Sequence, residues 1–348
     1  MPGWGDILEE IRALMETAGL GAFDRTRRKY LAALAEYTGR STIFYGSKWT
    51  SASQVPPEFV SITEEDVQGL MAVVYKLPGT HLDVILHSPG GSAEAAEAIV
   101  HYLRSKFDDI RFLVPQAAMS AATMLATAGN SIVMGKQSSL GPIDPQMILA
   151  TPLGVRAVPA YAIMEQFRLA QRECQDNDKL ASWYPMLAQY GPGLLIECET
   201  HMDLSEALVK KWIGQYMFGG AADKQAKAQE IAHALADHKR YGTHARHIDR
   251  EQAKALGLTI VDLEADQELQ DRVLSAFHAA TFTLEGTGAT KIIENHQGRA
   301  FIKQTMGSPA PAGATPRGQT PAPQAPLPET PPAPPPPSPA PPPPPGRA

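Results

Sequence analysis

The sequence predicts an α/β fold built around a largely parallel β-sheet. The segment His81–His87 is a short, almost continuous apolar strand, and a small-residue helix over Ser92–Ser105 follows it. The same order recurs at Ile110–Val114 and Ser120–Ala128. Strands buried on both faces are apolar throughout, and parallel neighbours need a crossover helix between them. The alternation therefore favours a parallel sheet covered by helices.

The remaining elements are delimited by turn residues and by apolar residues at helical spacing. Gly46 closes the first strand, Pro78-Gly79 ends the helix over 63–76, and Gly257 precedes the last strand. The other predicted elements, in chain order, are an amphipathic helix Ile7–Ala18, a helix Asp24–Tyr37, strands Ser41–Tyr45 and Ser131–Met134, a helical stretch 161–240 interrupted near Tyr190–Gly193 and Gly219-Gly220, a helix Asp249–Leu256, a strand Leu258–Leu263 and a helix Asp266–Ala280.

Composition divides the chain into a globular body and a tail. Of 348 residues, 31 are proline, and 19 of these prolines lie in 308–348. Such a segment lacks apolar side chains for a core and favours extended, polyproline II-like chain. We predict an N-terminal helical segment (1–40), a main domain (41–285), a linker (286–307) and a disordered tail (308–348). The tail is predicted to be a spacer or to dock an unknown partner.

Charge and cysteine content exclude several classes of protein. The formal net charge of −6 argues against a nucleic-acid partner, because phosphate binding needs a basic patch. Cys174 and Cys198 are too few for a disulfide scaffold and have no metal-ligand spacing, so we predict neither a metal nor another cofactor. We find no secretory signal and no transmembrane segment, and we predict a cytoplasmic protein. The helix Ile7–Ala18 is predicted to pack on the body or on a sister subunit rather than on a membrane.

Two strand-to-helix junctions carry candidate chemistry. In Ser88-Pro89-Gly90-Gly91, the paired glycines leave backbone N–H groups open to a negatively charged oxygen. Ser120 stands at the head of an alanine-rich helix. It is either a helix N-cap or a nucleophile with the N–H of Ala121 close to the developing oxyanion.

These motifs together resemble the ClpP/SppA superfamily of serine peptidases. Asp83–Gly91 is followed 29 residues later by Ser120 and nine residues after that by Gly129, and both separations are similar to that superfamily's. With Leu140–Gln146 included, the chain resembles the serine dehydrogenase proteinase (SDH) family through about residue 280. The resemblance implies a crotonase-like core of repeated ββα units, a homo-oligomer, and hydrolysis of peptide or protein substrates.

The resemblance also implies roles for individual residues. Ser120 matches the nucleophile, and Gly91 and Ala121 match the oxyanion-hole donors. Ser88, Pro89 and Gly90 match a segment that flanks extended substrate.

The general base departs from the ClpP pattern, because no histidine lies in 141–145, where that branch has one. The SppA branch uses a lysine, and burial lowers a lysine pKa towards neutrality. We rank Lys179 first for its separation from Ser120. Lys136, Lys210 and Lys211 stay open, as does a histidine elsewhere.

Asp144 and His87 are secondary candidates. Asp144 is either a turn residue or a residue that orients the base or lines the cleft. His87 ends a strand beside the glycine turn, and it is either a half-buried strand-end histidine or a residue close to the substrate. The later histidines, at positions 233, 238, 244 and 247, are not spaced for zinc.

The leading interpretation is an ATP-independent serine peptidase, since no nucleotide-binding motif is present. Two alternatives remain. One is a crotonase-fold enzyme that binds acyl-CoA, which should have basic residues near the diphosphate. The other is an inactive pseudopeptidase scaffold, suggested by the missing histidine.

Overall fold

The computed structural model describes residues 3–51, 55–151, 154–220 and 222–305. The helices are α1 (Trp4–Ala18), α2 (Gly21–Thr38), α3 (Pro57–Val60), α4 (Glu65–Val74), α5 (Ala93–Arg104), α6 (Ala121–Thr127), α7 (Ala160–Glu173), α8 (Asn177–Leu187), α9 (Leu194–Trp212), α10 (Lys224–Ala236), α11 (His238–Tyr241), α12 (Arg250–Ala255) and α13 (Gln267–Gly286). A π-helical segment, Ile213–Met217, continues α9, and a 3₁₀ turn, Leu263–Ala265, precedes α13. The strands are β1 (Ser41–Ser47), β2 (His81–His87), β3 (Asp109–Val114), β4 (Ala117–Ala118), β5 (Ser131–Met134), β6 (Ser139–Leu140), β7 (Gln146–Thr151), β8 (Gly154–Pro159), β9 (Ile248–Asp249), β10 (Ile260–Asp262), β11 (Ala289–Asn295) and β12 (Ala300–Gln304).

A seven-stranded mixed sheet forms the centre of the fold. Its strand order is β10-β5-β3-β2-β1-β11-β12. The five strands from β10 to β1 run parallel, β11 pairs antiparallel with β1, and β12 pairs antiparallel with β11. The predicted α/β fold is confirmed, and the parallel part follows from the apolar strands and crossover helices seen in the sequence.

Helices cover both faces of this sheet. Alternate residues of β2 pack on opposite faces, so that Val84 lies in one apolar core with α5 and α6, and Ile85 lies in another with α2 and α13. Burial on both faces explains why the strands lack polar alternation. At the N-terminal side of the fold, α1 packs through Ile7 and Ile11 against α13.

The stretch predicted to be a linker differs in the structure. Within 286–307, β11 and β12 form a hairpin in the main sheet, and every residue of β11 is buried. The sequence did not predict β11 because two of its residues are charged. Lys291 is buried in an ion pair with Asp66, and Glu294 is buried in an ion pair with Arg27. The predicted disordered tail, 308–348, lies outside the described residues.

A small second sheet and a hairpin lie beside the parallel sheet. Strands β4, β6 and β9 form the second sheet, and β7 and β8 form an antiparallel hairpin that the sequence analysis did not predict. Helices α7–α10 account for the helical stretch that was predicted over 161–240. Among the described residues, none of the helices is both long enough and apolar enough to cross a bilayer.

Candidate active site

Ser120 has an unusual backbone conformation at the start of α6. Its φ of 52° and ψ of −122° make it one of two non-glycine residues with positive φ in the described chain. Such a conformation costs about 1–3 kcal/mol and is found mainly at functional sites. The Ser120 side chain makes no capping hydrogen bond to α6. An N-cap role therefore does not account for this serine.

The glycine pair packs directly against Ser120. Two parallel bridges hold the loop in place: Ser88 pairs with Ala118, and Gly91 pairs with Ile62. Gly90 has a φ of +99°, and a Cβ there would lie 2.6 Å from the Cβ of Ser120. Only glycine allows so close an approach of the two segments.

Two backbone N–H groups at this junction have no hydrogen-bond acceptor among the described residues. The Ile62 N–H donates to Gly90 O (2.7 Å) and the Ser92 N–H donates to Ile62 O (3.1 Å), which leaves the Gly91 N–H without a partner. The Ala121 N–H is the first of α6, and the first amides of a helix have no intrahelical acceptor. The Gly91 and Ala121 N–H groups are the two that were predicted to be oxyanion donors.

Ser120 and the glycine pair line one cleft of about 540 Å³. Its apolar wall includes Met124, Ile143 and Met147, and Ser88 lies buried beneath the loop. Two histidines, His201 and His244, also line it. No lysine or arginine is among the described residues that line this cleft.

His244 is hydrogen-bonded to a buried carboxylate. Its Nδ1 lies 2.8 Å from Asp144 Oδ1, and the Asp144 side chain is only 4% exposed. This bond leaves Nε2 as the free nitrogen of the His244 ring. The arrangement places an imidazole with an acidic partner in the same cleft as Ser120.

His201 has a weaker acidic partner. Its Nδ1 lies 3.8 Å from Glu94 Oε1, and the two side chains are 42% and 53% exposed. Two hydrogen bonds, one from the Glu94 backbone N–H and one from the Ser92 side chain, lower the pKa of the Glu94 carboxyl. A surface pair of this kind fixes an imidazole less firmly than a buried carboxylate does.

The lysines considered from the sequence lie away from the cleft. Lys179 is exposed on α8, and Lys136 is exposed after β5. Lys210 and Lys211 border a separate surface depression with Gln225. The structure does not bring any of these amines together with Ser120.

One buried lysine that the sequence analysis missed lies behind the cleft. Lys291 Nζ contacts both carboxylate oxygens of Asp66 at 2.8 and 2.7 Å and donates to the carbonyl oxygen of Ser61, which lines the cleft. Burial lowers the pKa of Lys291. These contacts use all three N–H donors, so Lys291 positions the segment before Ile62 rather than serving as a base.

His87 was predicted near the substrate, but it does not line this cleft. It is buried against Trp49 and Phe277, with ring centroids 5.4 and 5.1 Å away. Burial lowers its pKa to about 4.

The other three histidines of the later group also have hydrogen-bond partners, and one of them shares Asp144 with His244. His238 contacts Asp144, His247 contacts Ser139 and His233 contacts Glu206. Among the residues that the structure describes, no group of three or more His, Cys, Asp or Glu side chains could hold a metal ion.

Comparison with known families agrees with the motif pattern. Residues 55–180 match the family model for the ClpP-like SDH-type serine proteinase. Residues 55–180, about a third of the chain, are therefore similar to this family. The matched part contains Ser120, both glycines and Asp144, whereas His244 lies beyond it.

Two relatives of this chain come from Methanocaldococcus jannaschii. Uncharacterized protein MJ0137 is 27% identical over 216 residues, which is 61% of this chain and 65% of the relative. Uncharacterized protein MJ1495 is 27% identical over 209 residues, which is 59% of this chain and 60% of the relative. The chain therefore spans somewhat less than two thirds of the length of these relatives.

Two solved structures are similar to this chain at a greater distance. Both are mutants of the 1510-N membrane-bound stomatin-specific protease, and one is in complex with a substrate peptide. Each is 16% identical with a TM-score of 0.36 and covers 61% of this chain and 79% or 75% of the solved chain. A TM-score this low does not establish a common arrangement of site residues.

Proposed function

We propose that the protein is a serine peptidase in which His244 is the general base and Asp144 orients it. One observation carries this proposal: Ser120 and His244 line the same cleft, and the Nδ1 of His244 is 2.8 Å from the buried carboxylate of Asp144. This assignment replaces the lysine base expected from the SppA branch. The chain order is then serine, aspartate, histidine. A triad is defined by geometry and roles, which do not depend on chain order.

The proposed reaction proceeds through an acyl-enzyme. Ser120 Oγ attacks the scissile carbonyl carbon while His244 Nε2 takes the hydroxyl proton, and the resulting imidazolium gives that proton to the leaving amine. A water molecule then attacks the ester, with the same histidine as base, and restores the Ser120 hydroxyl. Asp144 fixes the ring and stabilises the imidazolium.

The N–H groups of Gly91 and Ala121 are the proposed oxyanion donors. Neither has a partner in the described chain, and the Gly90 contact holds the glycine loop against the head of α6. Donors that are already oriented need no rearrangement when negative charge develops on the carbonyl oxygen.

We propose peptides or unfolded protein segments as substrates, cleaved as an endopeptidase would cleave them. Pro89 and Gly90 line the cleft and would flank an extended chain, and the apolar wall at Met124 and Met147 would take a side chain. Ser88, predicted with them, is buried and is not among the described residues that line the cleft. Hydrolysis of the acyl-enzyme consumes only water, so the reaction is proposed to be independent of ATP.

The assembly and location of the protein are also proposals. Large apolar side chains are exposed at Ile148, Val155, Tyr184 and Ile196, and a homo-oligomer would cover such surface. Both cysteines are free thiols, which suits the reducing cytoplasm. Binding of a partner by the proline-rich tail stays a prediction, because the tail lies outside the described residues.

The alternative functions lose their support in this geometry. The pseudopeptidase scaffold depended on a missing histidine, and His244 supplies one beside Asp144. An acyl-CoA site needs basic residues for the diphosphate, whereas the described lining of the cleft has none.

A fluorophosphonate probe and a fluorogenic peptide test the proposal. The probe should label the wild-type chain and spare Ser120→Ala. Peptide turnover should fall about 10⁴- to 10⁶-fold in His244→Ala, because the serine loses its base.

Two matched variants complete the design. His201→Ala removes the other histidine of the cleft, and Lys179→Ala removes the lysine ranked first from the sequence; both should retain turnover. Normal turnover in His244→Ala together with its loss in Lys179→Ala would overturn the His244 assignment. Equal labelling of wild type and Ser120→Ala would overturn the nucleophile.

A further inference from the structure

A second histidine shares the carboxylate of Asp144. His238 Nδ1 lies 2.8 Å from Asp144 Oδ2, while His244 Nδ1 lies 2.8 Å from Asp144 Oδ1. The side-chain amide of Gln146 also donates to Oδ2, at 3.2 Å. Each carboxylate oxygen therefore has an imidazole of its own.

The structure holds His238 in place from two directions. It is the first residue of α11, whose N-cap Asp237 accepts a hydrogen bond from the Lys239 N–H. Its ring stacks on Tyr161 of α7 at a centroid distance of 5.3 Å and an interplanar angle of 26°. The side chain is 14% exposed. Because the His238 ring is held in place, its N–H can hold the Asp144 carboxylate in one orientation.

A carboxylate with one hydrogen bond can still rotate about its Cβ–Cγ bond, because that torsion has broad minima. On the second oxygen, the 2.8 Å contact of His238 opposes this rotation more strongly than the 3.2 Å hydrogen bond of Gln146, and it keeps the first oxygen directed at His244. Partners in an outer shell of this kind orient the groups that react.

We propose that His238 is a positioning residue that orients Asp144 and, through it, the base His244. This inference rests on the proposed peptidase function and extends the triad to a chain of four residues. His238 does not touch substrate, since it is not among the described residues that line the cleft.

Two substitutions separate the hydrogen bond from the stacking. His238→Asn keeps an N–H donor, because the amide nitrogen is as many bonds from Cα as Nδ1 is, but it loses the ring. His238→Phe keeps a ring on Tyr161 and loses the donor. We expect His238→Asn to stay within about threefold of wild-type kcat. We expect His238→Phe to lose about 10- to 100-fold in kcat with KM unchanged, which is the range for lost outer-shell partners.

A purely structural role for His238 predicts the opposite order, since the stacked ring would then matter most. A lower kcat in His238→Asn than in His238→Phe, or equal values in the two variants, would overturn the inference.

A second measurement does not depend on activity. The Nδ1–H proton of His244 should give a downfield ¹H NMR resonance, which His244→Ala assigns by removing it. The inference predicts that this resonance shifts or broadens in His238→Phe and stays in place in His238→Asn. An unchanged resonance in His238→Phe would contradict it. Failure of the proposed function has a different signature, namely that Ser120 is not labelled, and the resonance can still be measured in that case.

Discussion

The contact between Gly90 and Ser120 makes Gly90→Ala the sharpest test of how the site is held together. An alanine Cβ at position 90 would lie 2.6 Å from the carbonyl oxygen of Met119, 2.6 Å from the Cβ of Ser120 and 2.9 Å from the N of Ala121. Even the weak C–H···O contacts of proteins have carbon–oxygen distances of about 3.3–3.6 Å. One of the two segments must therefore move by about 0.7 Å or more.

Such a displacement acts on the nucleophile and on an oxyanion donor together. A misplacement of about 1 Å can cost about 10²-fold in rate, and loss of one oxyanion donor costs about 10²- to 10³-fold in kcat. We therefore expect Gly90→Ala to lower kcat by at least about 10²-fold.

Gly79→Ala is the matched control. Gly79 also has positive φ (+72°), but a Cβ there would meet nothing within 4 Å. Both substitutions carry the backbone strain of a left-handed residue, and only Gly90→Ala adds the clash. Thermal unfolding should therefore show that Gly79→Ala is somewhat destabilised but active.

The assay is the rate of fluorophosphonate labelling together with kcat and KM on a peptide, at a temperature where all variants are folded. The reasoning is refuted if Gly90→Ala is labelled and turns over as fast as Gly79→Ala.

Two further predictions concern buried ionisable groups. Burial holds the pKa of His87 at about 4, below its ordinary value of 6.5, so the unfolded chain binds a proton there first as the pH falls. The free energy of unfolding should therefore fall by about 3 kcal/mol between pH 6.5 and about pH 4 because of this residue. In urea titrations, His87→Leu should make the free energy of unfolding less dependent on pH in this range. An unchanged pH dependence would contradict the assignment. Lys291→Met should cost about 3–5 kcal/mol, because it leaves the buried carboxylate of Asp66 unpaired. The double variant Lys291→Met/Asp66→Leu should recover part of this loss, and a urea midpoint no higher than that of the single variant would count against the pairing.

The parts of the fold that depend on local sequence were predictable. Strands β2 and β5 have the predicted bounds, and α5 and α6 lie within one residue of their predicted ends. These elements are short, apolar and bounded by glycine, proline or serine, so neighbouring residues determine them. The segment of β11 was not predictable in this way, because its charged residues become compatible with burial only through partners more than 200 residues away.

In the candidate site, too, the residues of local motifs could be predicted from the sequence, whereas a residue distant in the chain could not. Ser120 and the glycine pair belong to two local motifs at a fixed spacing, and the sequence shows them directly. His244 lies 100 residues from Asp144 in the chain, in the turn after α11. Nothing local distinguishes it from the neighbouring histidines. The only sequence signal was Asp144 itself, a carboxylate in the Gly-Pro-Ile-Asp-Pro segment close behind the nucleophile.

The network around Lys291 has a consequence for when the proposed active site can first be assembled. Lys291 comes from the last third of the chain, and it donates to the carbonyl oxygen of Ser61, the residue before Ile62, which pairs with Gly91. His244 also comes late in translation. A chain still emerging from the ribosome therefore has its serine long before it has the imidazole or the amine that secures the glycine loop. Under the proposed function, the site can therefore be assembled only after most of the chain has been synthesised.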